Sequence, residues 1–257
     1  MNTETRNAPL VHRTFDAAYL NDVSNHHEVR PTLGGSGDVD WSAIIDDPEN
    51  IALVCEGGGW VFQMLMPGLY EAHSQFVPER RGKIVVDAAR EAVRYMFAGT
   101  GCVEIVSKVP QNNNGAIGLA RSMGFREKFR RDDAWETGVA ISYVGLGLDR
   151  WRMSDPECLV WGRKFHDVLK AAGGAEHADD EVHDRAVGAC VMTCLQDGPD
   201  GVWRVGEAIP RKGVGLYNQW ALFVGYAPIH LLSEDPVVVD IQEAVIGLTP
   251  DGELRVI

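Results

Sequence analysis

Between residues 51 and 77 the chain runs in three short strand-like bursts: Ile51 to Glu56, Trp60 to Leu65 and Leu69 to Val77. Gly57, Gly58 and Gly59 separate the first two bursts, and Pro67-Gly68 the second pair. The pattern predicts a meander of antiparallel strands. At Lys83 the period changes. Val85, Ala88, Ala89, Ala92, Val93 and Met96 share one helical face as far as Phe97, and Asp87, Arg90, Glu91 and Arg94 the other. A strand over Cys102 to Val109 follows, then a helix over Asn113 to Met123 closed by Gly124 in the C-cap position. Strands at Phe125 to Phe129 and Val139 to Val144 complete this part.

Upstream, residues 1–11 read as a loose arm, and Thr14 or Asp16 is placed to cap a short helix through Ala17, Ala18, Leu20 and Val23. The stretch NHHEVRPTLGGSGDVDW is too polar for core and long enough to be functional or mobile. The element order β-β-β-α-β-α-β-β predicts an α/β fold, with a mixed, mostly antiparallel sheet and flanking helices. Beyond Leu146 the texture shifts to helical patterns at 156–171, 180–196 and 212–225, joined by Gly- and Pro-rich turns. Short strand candidates lie at Val237 to Val239, Ala244 to Leu248 and Leu254 to Ile257. The expected division is a domain over 1–147 and a mainly helical C-terminal region over 148–257.

Composition narrows the function. The 257 residues are 45% hydrophobic and 24% charged, as in an ordinary soluble protein. A formal net charge of −13 argues against general binding to nucleic acid or an anionic membrane. No apolar run is long enough to span a bilayer, and MNTETRNAPL has no signal core, so a cytoplasmic protein is expected. Five cysteines without paired spacing fit a reducing compartment, and Cys190 and Cys194, one helical turn apart, read as core packing.

Against that acidity, FVPERRGKIV gathers Arg80, Arg81, Gly82 and Lys83 where a strand turns into a helix. Helix N-termini offer unpaired N–H groups and partial positive charge, so the junction is a natural anion site. The alternative is a basic surface turn.

The element order over residues 51–145, the Gly82 turn and the stretch NNNGAIGLARSMGF together resemble the GNAT (GCN5-related) N-acyltransferase superfamily over about residues 12–145. In that family a Gln/Arg-x-x-Gly-x-Gly/Ala turn cradles the pyrophosphate of acyl-CoA. Here Glu79 stands in the first position, Gly82 in the central one and Ile84 in the last. Asn113-x-x-Ala116-Ile117-x-Leu119-x-x-x-Met123-Gly124-Phe125 follows the family's second motif, with Ala120 where Tyr is usual. The resemblance implies that Arg80, Arg81, Gly82, Lys83, Ile84 and Asn113 hold the donor, acetyl-CoA. It also implies that Phe76 and Val77 pair with the pantetheine amides, and that no metal is needed. The strand-turn YEAHSQFVPERRGK and the appended tail look like bacteriophage-borne relatives, which would place the protein in host cytoplasm or virion.

Acyl transfer to an amine is helped by a base. Alternation on the third strand sets Glu71, His73 and Gln75 on one face, and Tyr70, Ala72, Ser74 and Phe76 on the other. Glu71 is the first candidate base and His73 the second; a solvent-facing strand edge is the plainer reading. Asn25-His26-His27-Glu28-Val29-Arg30 falls where the family grips its acceptor, with a plain surface loop as the alternative, and adjacent residues share no face for a metal. In the C-terminal region, Asp179 is placed to cap a helix beside His177 and His183. Tyr217, Trp220, Phe223 and Tyr226 suggest core or an interface for a protein partner or self-association. The implied function is an acetyl-CoA-dependent N-acetyltransferase. Its rival is a non-catalytic, virion-associated or interaction protein on the same fold.

Overall fold

A computed structural model describes residues 10–132, 138–171, 180–197, 202–204, 245–248 and 254–256. The chain divides into two compact units, Ala8–Tyr95 with Cys102–Gly147, and Met96–Gly101 with Leu148–Ile257.

The first unit is built on a seven-stranded sheet. Its strands are β1 (His12–Thr14), β2 (Ile51–Cys55), β3 (Gly58–Met66), β4 (Leu69–Phe76), β5 (Glu104–Pro110), β6 (Arg126–Arg131) and β7 (Ile141–Gly147). They lie in the order β1-β2-β3-β4-β5-β7-β6, and only β4 and β5 run parallel. The helices are α1 (Ala18–Asn25), α2 (Ser42–Ile45), α3 (Lys83–Gly99) and α4 (Asn114–Ser122). This is the mixed, mostly antiparallel sheet with flanking helices that the sequence pattern predicts.

On one face, Ala17 and Leu20 from the α1 segment and Trp41 and Ile45 from the α2 segment pack on Ala52, Val54 and Val61. The Trp41 indole N–H donates to Ser24 Oγ at 2.8 Å, satisfying both polar atoms inside that core. Asp16 Oδ1 accepts the Ala18 N–H at 2.9 Å and starts α1. Asn113 Oδ1 accepts the Ala116 N–H at 3.0 Å and starts α4, and Gly124 with φ 87° closes it.

Several details differ from the sequence pattern. The stretch NHHEVRPTLGGSGDVDW, read as too polar for core, buries Val29 and supplies Trp41 to the core, because its polar residues alternate with a few large apolar ones that turn inward. His12–Thr14 forms an edge strand on β2, and Val11, expected in the loose arm, is buried with its N–H on Glu91 Oε1 at 3.1 Å. Gly58 and Gly59 belong to β3 and not to the turn, because the backbones pass too close for side chains. A Cβ at Gly58 would stand 2.1 Å from the Gln75 carbonyl oxygen, and one at Gly59 2.3 Å from that of Leu53.

The second unit contains α5 (Leu148–Ser154), α6 (Pro156–Ala171) and α7 (Glu181–Asp197). β8 (Val202–Arg204), β9 (Val245–Leu248) and β10 (Leu254–Val256) form a separate sheet in the order β10-β9-β8. α6 and α7 cross at glycines: a Cβ at Gly162 would lie 1.8 Å from Asp184 O, and one at Gly188 1.7 Å from Cys158 O. Asp180 caps α7, its Oδ1 accepting the Val182 and His183 N–H groups at 3.0 and 3.3 Å. Phe97 stacks on Trp151 at 5.2 Å between ring centroids, both buried. Asp179, the helical pattern at 212–225, its aromatic row and the strand candidate at 237–239 lie outside the described residues, as do the side chains of Cys190 and Cys194.

Candidate active site

β4 and β5 pair only at Leu69↔Glu104, Tyr70↔Ile105 and Glu71↔Val106. Beyond that point they diverge. The Ser107 hydroxyl donates to Ala72 O at 2.8 Å, and past it the ladder does not resume. On its other side, β4 stays paired with β3 as far as Gly58↔Phe76, and the Val77 N–H donates to Gly57 O at 2.9 Å. In an antiparallel ladder, alternate residues turn their N–H and C=O to opposite edges. The Val77 bond therefore directs the backbone groups of Ser74 and Phe76 into the gap between β4 and β5.

The gap widens into a cleft of about 320 Å³. Ala89, Ala92 and Val93 of α3, with Ala116 and Leu119 of α4, line it together with Glu71, His73, Thr32 and Leu33. It continues into a second hollow of about 390 Å³ lined by Phe76, Arg81, Gly82, Val85, Val86, Asn113, Asn114 and Gly115. The N-termini of α3 and α4 meet there. Gly82 O accepts the Val86 N–H at 3.2 Å, which starts α3 and leaves the N–H groups of its first turn without helical partners. Gly82 adopts φ 118°, and a Cβ there would meet nothing within 4 Å, so a ligand has unobstructed access to this backbone.

Of the residues picked out by sequence, Glu71 and His73 line the first hollow, and Phe76, Arg81 and Gly82 the second. Asn113 lines both while capping α4. The other four are placed differently. Val77 gives its N–H to Gly57 O. Arg80 turns back to Glu56 at 2.6 Å, Lys83 pairs with Asp87, and Ile84 is exposed. Arg81 spans the mouth of the gap, donating from Nε and Nη2 to Phe76 O at 3.2 and 3.0 Å. The His26 and His27 rings lie tilted to one another, 4.4 Å apart between centroids. Farther along that loop the Arg30 guanidinium binds Gly34 O and Gly37 O, each at 2.6 Å, and so fixes the turn that carries Thr32 and Leu33 to the cleft. Among the described residues, no group of three or more His, Cys, Asp and Glu could hold a metal ion.

The polar end of the cleft is a small charge network. Glu71, with a side chain 10% exposed, meets Lys108 Nζ of β5 at 3.0 Å from each carboxylate oxygen. His73 Nε2 stands 4.0 Å from Glu71 Oε1, and its ring lies 5.3 Å from that of Trp41. Burial lowers the His73 pKa below 6.5; the Glu71 carboxylate opposes that shift and Lys108 adds to it. The imidazole is therefore neutral at physiological pH. Gln75, only 1% exposed, lines the second hollow, and neither amide atom has a hydrogen-bond partner among the described residues.

Sequence reasoning missed Lys108 and Gln75. Gln75 was visible as the third polar residue, after Glu71 and His73, on one face of β4. Lys108 had no comparable signal, because its link to Glu71 depends on a parallel register between residues 37 apart.

No family model matches the chain, and no curated protein matches it by sequence. Solved structures do resemble it. Spermidine N-acetyltransferase from Vibrio cholerae, in complex with CoA and spermine, is 14% identical, with TM-score 0.49, over 56% of this chain and 99% of its own. A protein assigned as an acetyltransferase from Salmonella typhimurium, with acetyl-CoA as its cofactor, is 18% identical, with TM-score 0.44, over 54% and 92%. Ribosomal-protein-alanine N-acetyltransferase from Brucella melitensis is 17% identical, with TM-score 0.44, over 54% and 99%.

Proposed function

We propose that this protein is an acyl-CoA-dependent N-acyltransferase that moves an acetyl group from acetyl-CoA to an amine. The observation that carries the proposal is the divergence of β4 from β5. It exposes strand-edge N–H and C=O groups along a narrow cleft that ends at two helix N-termini. A pantetheine arm is an extended chain of two amides and suits such an edge. The pyrophosphate of the donor suits the open Gly82 backbone, the first turn of α3 and the Arg81 guanidinium. Arg80 and Lys83, held by Glu56 and Asp87, contribute charge at longer range.

With the thioester at the narrow end, a β4 backbone N–H polarises its carbonyl. The amine enters from the side of Leu33 and loses its proton to the Glu71–His73 pair. Ala120 lines the cleft where the family's motif places a Tyr, so the departing thiolate takes its proton from water or another donor.

Millimolar acetyl-CoA should raise the melting temperature by mass action. Arg81→Glu should abolish that rise while leaving the free protein folded, since Arg81 is exposed. If the wild-type protein shows no rise, the donor assignment fails. A second reading is favoured by the same Ala120 and by the intrachain partners of Arg80, Arg81 and Lys83. In it, the fold serves as a non-catalytic interaction module of the kind a phage virion would carry. Binding of acetyl-CoA without any thiol release across a broad amine panel would favour this second reading.

A further inference from the structure

We infer that the acceptor is an amine carrying a carboxylate close to its nitrogen, an amino-acid-like zwitterion, and that Lys108 selects it. The inference rests on the acyltransferase reading and concerns the acceptor end of that site. The Lys108 ammonium satisfies both oxygens of Glu71, each at 3.0 Å, so the network is charge-balanced before any acceptor arrives. A simple ammonium entering here would have to share one carboxylate with Lys108, beside a His73 ring that burial keeps neutral. Two cations facing one anion in a partly dehydrated site is unfavourable, and a polyamine would bring still more positive charge.

A zwitterion resolves this. Its carboxylate takes the Lys108 ammonium, which is 47% exposed and so reachable from the cleft. Its ammonium takes the place of Lys108 on Glu71. The exchange keeps every charge paired and frees Glu71 to receive a proton. In the reaction the acceptor ammonium gives one proton to the Glu71–His73 pair. The neutral nitrogen adds to the thioester carbonyl, forming the C–N bond of a tetrahedral intermediate. The second nitrogen proton is lost as that intermediate collapses and the C–S bond breaks. One of the two protons ends on the CoA sulfur and the other in solvent.

The test uses acetyl-CoA and matched acceptors, each an amino acid and its decarboxylated amine: glycine and methylamine, phenylalanine and phenethylamine, ornithine and putrescine. CoA thiol release is followed for the full-length protein. At least one amino acid should exceed its amine tenfold or more in kcat/KM. Lys108→Met should bring that ratio close to one by raising KM for the acid, and Lys108→Arg should keep the preference. Lys108→Met leaves Glu71 without its partner, so Lys108→Met with Glu71→Gln serves as a charge-balanced control. In that control, the melting-temperature shift given by the acid in the presence of CoA should disappear. Amines that match or beat their acids in every pair overturn the inference, as does a preference that survives Lys108→Met. If CoA shifts the melting temperature but no acid gives turnover or a further shift, the acceptor assignment is wrong and the donor site stands. If CoA itself gives no shift, the donor reading fails and the acceptor assignment with it.

Discussion

A buried amide with no partner costs about 1–3 kcal/mol, and Gln75, whose amide has none among the described residues, carries such a cost at the edge of the cleft. Gln75→Met keeps the volume and removes the unsatisfied atoms. The free protein should gain on the order of 1 kcal/mol, read as a higher denaturation midpoint, and should lose ligand affinity. An unchanged midpoint would mean that the amide is already satisfied. The base is tested beside it: Glu71→Gln keeps size and should lower turnover by about a hundredfold while CoA binding survives. His73→Ala should lower turnover less if Glu71 takes the proton, and equally if the two act as a unit. His73 also makes a prediction about pH. Its folded pKa lies below the unfolded value of 6.5, so the unfolded chain binds more protons between those two values. The stability linked to His73 is complete above about pH 6.5, and it declines as pH falls through 6.5 and on through the folded pKa. His73→Leu should flatten that acid limb in urea titrations, and a limb of unchanged slope would assign the loss to other groups.

At the scale of elements, what could be read from sequence was what short-range periodicity encodes. The α3 face, the capped α4 with Gly124 behind it, and the β2–β4 meander all follow from side chains within a few residues of each other. Asn113→Ala should cost about 1 kcal/mol through the lost cap. It should also weaken donor binding, because the start of α4 lines the cleft. A loss of stability with unchanged CoA affinity would limit Asn113 to capping. The features that escaped are non-local. Gly57-Gly58-Gly59 reads as a turn when seen alone, and only the approach of the Gln75 and Leu53 carbonyls explains two strand glycines. The basic cluster at 80–83 reads as one patch, yet Glu56 draws Arg80 to the β2–β3 turn and Asp87 draws Lys83 along α3. Linear charge counting had no means of separating Arg81 from these neighbours.

On the scale of the whole molecule, α3 carries residues of both units. Its first turn borders the cleft, whereas Met96–Gly101 group with the C-terminal helices, where Phe97 stacks on Trp151. A fragment ending at residue 147 leaves Phe97, 1% exposed in the full chain, without that cover. Such a fragment should be less soluble and melt lower than the full chain, and Phe97→Ser within it should recover part of the solubility. A fragment as soluble as the full chain would show that the sheet unit completes its own core. The α6–α7 crossing gives a second test: Gly162→Val should destabilise the full chain severely, because its Cβ would collide with the Asp184 backbone.

Gly118 completes this picture from the opposite direction. It sits inside α4, lines the second hollow, and a Cβ there would meet nothing within 4 Å. Glycine in a helix interior costs about 1 kcal/mol relative to alanine. Gly118→Ala should therefore raise the melting temperature of the free protein, while the added methyl narrows the space assigned to the donor. The two readouts would move in opposite directions from a single carbon atom. A selection for thermal tolerance alone would be drawn to this position, and the variants it enriched would be expected to have lost their ligand.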